Sequence, residues 1–141
     1  MPLSANWKEL LAEWAAFRGW TYQAEGNQAV FNFSDGPGGR GLNMSIAASS
    51  DWLAFRMTDD RYLDEKDLPV AVAAANLWNG NYHLPNAIVI VPEDGGQAYI
   101  DGRFIADICV DYDFDRFTSL ANAFFQFSLD MFDYFSDKDA L

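Results

Sequence analysis

One cysteine, Cys109, and one histidine, His83, stand in a chain of 141 residues. A lone cysteine cannot close an internal disulfide, which fits a reducing, cytoplasmic setting. The two residues are also too few for the usual zinc ligand sets. A cysteine–histidine nucleophile pair would need an activated thiol, yet Cys109 lies between Ile108 and Val110 in an alternating stretch, where an inert thiol is expected. Basic residues are scarce: 9 Lys and Arg against 21 Asp and Glu give a formal net charge of −12. Such a surface repels nucleic acid and anionic membrane, admits basic partners, and keeps an aromatic-rich domain from aggregating. No apolar run approaches the ~20 residues of a membrane span. The start, MPLSANWKELLAEW, is an amphipathic helix pattern containing acids rather than a signal peptide.

Motifs of catalysis are missing as well. There is no G-x-S-x-G, no H-E-x-x-H, and no G-x-G-x-x-G after a strand. Ser34–Gly39, SDGPGG, is glycine-rich but has neither the GK[ST] ending nor the strand–loop–helix context of a phosphate loop. Asp111, Asp113 and Asp115 spell D-x-D-x-D, but a calcium loop needs glycine where Arg116 stands and glutamate where Asn122 stands. These acids read instead as caps on a helix N-terminus. Asp59, Asp60, Asp64 and Glu65 read as a solvated loop, with nothing to raise a pKa for acid–base catalysis. The expectation is no enzyme activity, no cofactor and no metal.

What the chain does have is apolar material: 50% hydrophobic and 16% aromatic residues, enough for one domain spanning 1–141. Asn6, with Glu9 three residues on, suggests a capped helix start. Trp7, Leu10, Leu11, Trp14 and Phe17 then share one helical face, and Gly19 marks the end. Strands are expected at Trp20–Ala24 and Ala29–Phe33 around a turn at Gly26, then at Leu42–Ala48 and Trp52–Thr58. Asp67 and Pro69 open a central helix that is apolar nearly all round, which predicts burial, with a stop at Gly80. Asn86–Val91 is apolar on both faces, which predicts a place in the middle of the sheet. Gln97–Val110 is the last strand, with a bulge expected at Gly102. A long helix runs from about Phe114 to Phe135, and Asp137 to Leu141 reads as a frayed tail. The order α-ββββ-α-ββ-α with hairpin spacing gives an α+β fold, an antiparallel sheet of five to six strands with N-terminal, central and C-terminal helices.

On the last helix Asp115, Ser119, Asn122, Gln126, Asp130 and Asp133 gather in a polar stripe about 80° wide. The apolar residues spread over about half the circumference, more than one sheet contact needs. Phe127, Met131 and Tyr134 are therefore the candidate partner-binding residues, facing a second subunit, a bound peptide or simply a neighbouring helix of the same chain. The leading reading is a non-catalytic protein-binding module, regulatory or chaperone-like and homodimeric. The alternative is a small-molecule site or enzyme with a cleft lined by Trp52, Trp78, Tyr82 and His83. A third reading is a purely architectural subunit. Asn76, Asn79, Asn81 and Asn86, in an apolar setting, read as structural hydrogen-bonders.

Asn76-x-Trp78-Asn79, followed by Tyr82, Ala87 and an apolar strand, resembles the N-x-W-N signature of YbjN-like domains, most clearly over Leu68–Phe135. That family is described as bacterial sensory-transduction regulators. Its fold is similar to that of type III secretion chaperones: small, acidic, often dimeric α+β proteins that hold extended client segments. The resemblance implies no enzyme activity, no cofactor and no catalytic residues to transfer. It names no secretion partner, because fold analogy does not carry function.

Overall fold

The computed structural model describes residues 1–136; the tail from Asp137 to Leu141 lies outside the described residues. Three α-helices, α1 (Leu3–Arg18), α2 (Leu68–Asn81) and α3 (Phe114–Ser136), accompany six strands: β1 (Gln23–Glu25), β2 (Gln28–Phe33), β3 (Leu42–Ala48), β4 (Trp52–Asp59), β5 (Asn86–Ile90) and β6 (Tyr99–Asp107). The strands form one sheet in the order β1-β2-β3-β4-β6-β5, every neighbour antiparallel. The α+β class, the antiparallel sheet and the helix placement expected from the sequence all stand.

Period-2 alternation sets the layers. Met44, Ile46, Leu53, Phe55 and Met57 are fully enclosed, while Asn43, Ser45, Arg56 and Thr58 face the open side of the sheet. The helices cover the apolar side. Trp14 of α1 meets Phe31 at 5.9 Å, Phe55 meets Phe124 of α3 at 5.4 Å, and α2 packs beside β5. α1 and α3 are joined where Trp14 Nε1 and Arg18 Nη1 both donate to Asn122 Oδ1 at 2.9 Å.

Several local expectations are corrected. α1 starts at Leu3, not after Asn6, and no side chain caps it. Its first free N–H groups are taken by tertiary carbonyls instead: Leu3 N donates to Val110 O and Ser4 N to Ile108 O. Asn6 is released to donate to Tyr112 O at 3.0 Å. Phe17 is exposed because it sits at the edge of the apolar stripe in the last turn. Gly19 ends the helix in the left-handed region, φ 72°, as expected. β1 is displaced to Gln23–Glu25, leaving Trp20 and Tyr22 to pack on the aromatic cluster of β2.

β5 is an edge strand, not a central one. Ala87 and Val89 pack into the core, and Ile88 and Ile90 are half-buried on the other parity. Apolar residues on both faces therefore do not require two strand neighbours. No bulge occurs at Gly102, since the β4–β6 and β5–β6 registers run through it unbroken. The glycine answers to close packing: an added Cβ would lie 2.9 Å from Met131 Cε and 3.1 Å from Pro85 Cγ.

Candidate interaction surface

α2 carries no charged residue. Ala71, Ala74, Ala75 and Trp78 are buried, and the small alanines bring the helix close to the sheet edge. Val70, Val72, Ala73, Asn76 and Leu77 remain in solvent. The expectation that a helix apolar all round is buried is overturned here: α2 has only one buried face, and Val72 and Leu77 are 46% and 55% exposed. On a chain of net charge −12 this uncharged outer face is conspicuous.

Two of the three N-x-W-N residues, Trp78 and Asn79, clip the corner between α2 and β5. Trp78 Nε1 donates to Pro85 O at 2.8 Å. Asn79 Nδ2 donates to Ala87 O at 2.9 Å, and Asn79 Oδ1 accepts from Ala87 N at 2.8 Å. One side-chain amide thus imitates a neighbouring strand at an edge residue whose backbone groups would otherwise be open. Asn81 Nδ2 donates to Leu77 O at 2.8 Å and closes the helix end, one residue beyond the expected stop at Gly80. These asparagines act structurally, as expected. Asn76 does not: it is exposed, with no side-chain hydrogen bond among the described residues.

At the C-terminal end of α2 an open groove of about 320 Å3 is lined by Trp78, Tyr82, Phe127, Asp130, Asp133 and Tyr134. Trp78 and Tyr82 stack at 4.1 Å, and the Trp78 ring lies 5.6 Å from that of Tyr134. Two of the three candidate partner-binding residues, Phe127 and Tyr134, meet here. Met131 does not belong to the surface. It is fully buried, with its sulfur and methyl against Gly102 of β6. A turn of 100° per residue carries it about 40° round from Phe127, which is enough to cross from solvent to core. The wide apolar face of α3 is mostly accounted for within one chain: Phe125 packs on Trp20 of the α1 side, Tyr134 on α2, and Phe117, Phe124, Phe132 and Phe135 are enclosed.

The alternative cleft is only half assembled. Trp78 and Tyr82 come together, but Trp52 stands at the start of β4 on the open side of the sheet. His83 is exposed at the α2–β5 corner and does not line the groove. Cys109 is exposed, its backbone N–H bonded to Asp107 Oδ1. Asp113 Oδ1 accepts from Arg116 N at 2.8 Å, the capping role read from the sequence. Among the described residues no group of three or more His, Cys, Asp and Glu side chains could hold a metal ion.

Two charged clusters were not visible in the sequence. On the open face of the sheet Arg56 and Arg103 sit opposite one another in the register. Both reach Asp101 Oδ2, at 2.9 Å and 2.7 Å, and Asp101 is 0% exposed. Partial burial pulls the Arg56 pKa down, but hydrogen bonding and charge from Asp101, with Tyr99, hold it above its ordinary value. Asp101→Ala is expected to lower unfolding stability by about 2 kcal/mol in urea titrations, since the half-exposed arginines can rehydrate. No change would mean the cluster is only surface decoration.

Near the C-terminal end of α3, Arg40 Nη1 donates to Ser136 Oγ at 3.2 Å and Arg61 Nη1 to Phe135 O at 3.5 Å, two cations at the negative end of the helix dipole. Burial pushes the neighbouring Asp59 carboxyl up, against the lowering effect of the Arg61 N–H and of the Arg61 and Arg40 charges. The expectation that no acid of this loop has a raised pKa is therefore corrected for Asp59. Folding favours its protonated form, so its contribution is full below the usual value of 3.8 and is lost as pH rises through the elevated folded value. Asp59→Asn should accordingly melt higher than wild type at neutral pH, the difference closing as the pH falls below 3.8. A difference independent of pH would contradict this.

No protein-family profile matches the chain, and no curated protein matches it. Among solved structures it is similar to the crystal structure of YbjN from E. coli, a candidate transcription regulator, with a TM-score of 0.70. The match covers 89% of this chain and 87% of that one at 12% sequence identity. At that identity the likeness speaks for architecture alone: the chain has a YbjN-like α+β fold.

Proposed function

We propose that this chain is a non-catalytic, cytoplasmic protein-binding module of regulatory or chaperone-like type, acting as a single domain over 1–141. It pairs with a second copy across α2 and receives a partner protein in the groove between α2 and α3. One observation carries this reading: Val70, Val72, Leu77, Tyr82 and Phe127 make up five of the eleven exposed large hydrophobics among the described residues, and all lie on α2, at its C-terminal end or on adjoining α3. Two chains of charge −12 repel one another, so a contact between copies is best placed where charge is missing, and α2 offers that. The groove is open, so it suits an inserted side chain better than an enclosed small molecule. The candidate regulator role of the structural neighbour supports the non-enzymatic reading. Neither membrane nor nucleic acid is assigned as a partner; no described helix is long and apolar enough to cross a bilayer.

A double variant, Tyr82→Ala with Phe127→Ser, changes two exposed positions. It should keep its fold, melting within about 6 °C of wild type, and lose a protein that co-purifies with the wild-type chain. Full retention of that protein would rule out the groove as its seat.

A further inference from the structure

We infer that the groove between α2 and α3 takes a cationic side chain, an arginine or lysine projecting from a basic amphipathic segment of the partner. This rests on the protein-binding reading and adds the chemistry of what is bound. The walls are of two kinds. Tyr82, Phe127 and Tyr134 supply aromatic surface, and buried Trp78 backs Tyr82, the two rings stacked at 4.1 Å. Asp130 and Asp133, exposed and one helical turn apart, supply two carboxylates at the rim. Neither carboxylate has an ion-pair partner among the described residues; Asp130 Oδ1 accepts only from neutral Gln126 Nε2, at 3.2 Å. No Lys or Arg occurs on α2, and on α3 the one base is Arg116, in the first turn, beside Tyr112 rather than the groove.

An aromatic face attracts a cation through its quadrupole, and a guanidinium or ammonium group laid against the exposed rings of Tyr82 and Phe127 keeps its charge compensated by carboxylates at the rim. A neutral apolar side chain would leave those carboxylates partly desolvated with nothing in return. An anionic one would meet them directly. The long methylene stem of Lys or Arg also matches a groove that is apolar at the walls and charged at the rim. Of the groups a protein partner can offer, the cationic ones fit this arrangement.

The test uses the full chain and labelled synthetic peptides of alternating leucine and arginine, with citrulline replacing arginine in a neutral control, read by fluorescence anisotropy. The arginine peptide should bind at least tenfold tighter than the citrulline peptide. Asp130→Asn with Asp133→Asn should remove that preference. Glu9→Gln with Glu13→Gln on α1, which changes the net charge equally, should alter affinity less than twofold. Equal loss from both pairs would overturn the inference, because the peptide would then be reading only the overall acidity. If Tyr82→Ala weakens both peptides alike while the Asp130 and Asp133 changes do nothing, the groove still binds protein and the cation preference is wrong.

Discussion

Replacing Val72 and Leu77 together with glutamate is expected to turn the proposed dimer into folded monomers. Both side chains are about half exposed on the outer face of α2, so neither substitution opens a cavity, and circular dichroism and unfolding stability, compared at concentrations where wild type is also monomeric, should stay within about 0.5 kcal/mol of wild type. In the pair the four new charges would be buried without partners, a cost of several kcal/mol and a loss of affinity beyond a hundredfold. Sedimentation velocity over a concentration series checks it. The salt dependence adds a second mark. Because each copy carries −12, raising ionic strength from about 0.05 M to about 0.5 M should tighten wild-type pairing by screening the repulsion. Binding of a basic segment in the groove should weaken under the same change. A wild-type chain that stays monomeric at the highest concentration would remove the dimer from the account and leave the groove.

Met131→Ser should be the more damaging of two changes on α3 that look alike in sequence. Met131 is fully buried against Gly102, so serine leaves both a cavity and a hydroxyl to satisfy, at about 3 kcal/mol. Phe127→Ser, at a residue 44% exposed, should cost less than about 1 kcal/mol in stability while reducing partner binding. Denaturant unfolding of the two single variants separates them. Equal destabilisation would place Phe127 in the core as well and dissolve the groove.

Much of the architecture could be read from residue spacing, because period 2 in Leu42–Ala48 and Trp52–Asp59 and period 3.6 in Trp7–Trp14 each point to a single buried face. Three of the misreadings share one cause: an apolar residue reports that it avoids charge, not what covers it. The outer face of α2 reads the same whether it is buried by this chain or kept uncharged for another. Ile88 and Ile90 read the same on a central strand as on an edge. Met131 and Phe127 differ by four residues, and only the position of β6 decides which of them turns inward. Asn6 lost its expected cap because the carbonyls that serve α1 come from more than a hundred residues away. The groove was legible in halves. The spacing marks Phe127 and Tyr134 for an over-wide face and Trp78 and Tyr82 for a cleft, and the helix pairing that makes them one site is a tertiary fact. Asp130 and Asp133 read in sequence only as part of a polar stripe. Asp101 leaves a fainter trace, an acid two residues before Arg103 on the same side of the strand.

The most direct measurement is site-specific photo-crosslinking in the full chain, with the reactive group placed at Leu77, at Phe127 and, for comparison, at Asn43 on the open face of the sheet. Adducts from Leu77 to a second copy and from Phe127 to a partner protein, with none from Asn43, are the expected result. Adducts formed at Asn43 while Leu77 and Phe127 stay unreacted would place the binding surface on the opposite side of the molecule and contradict the account.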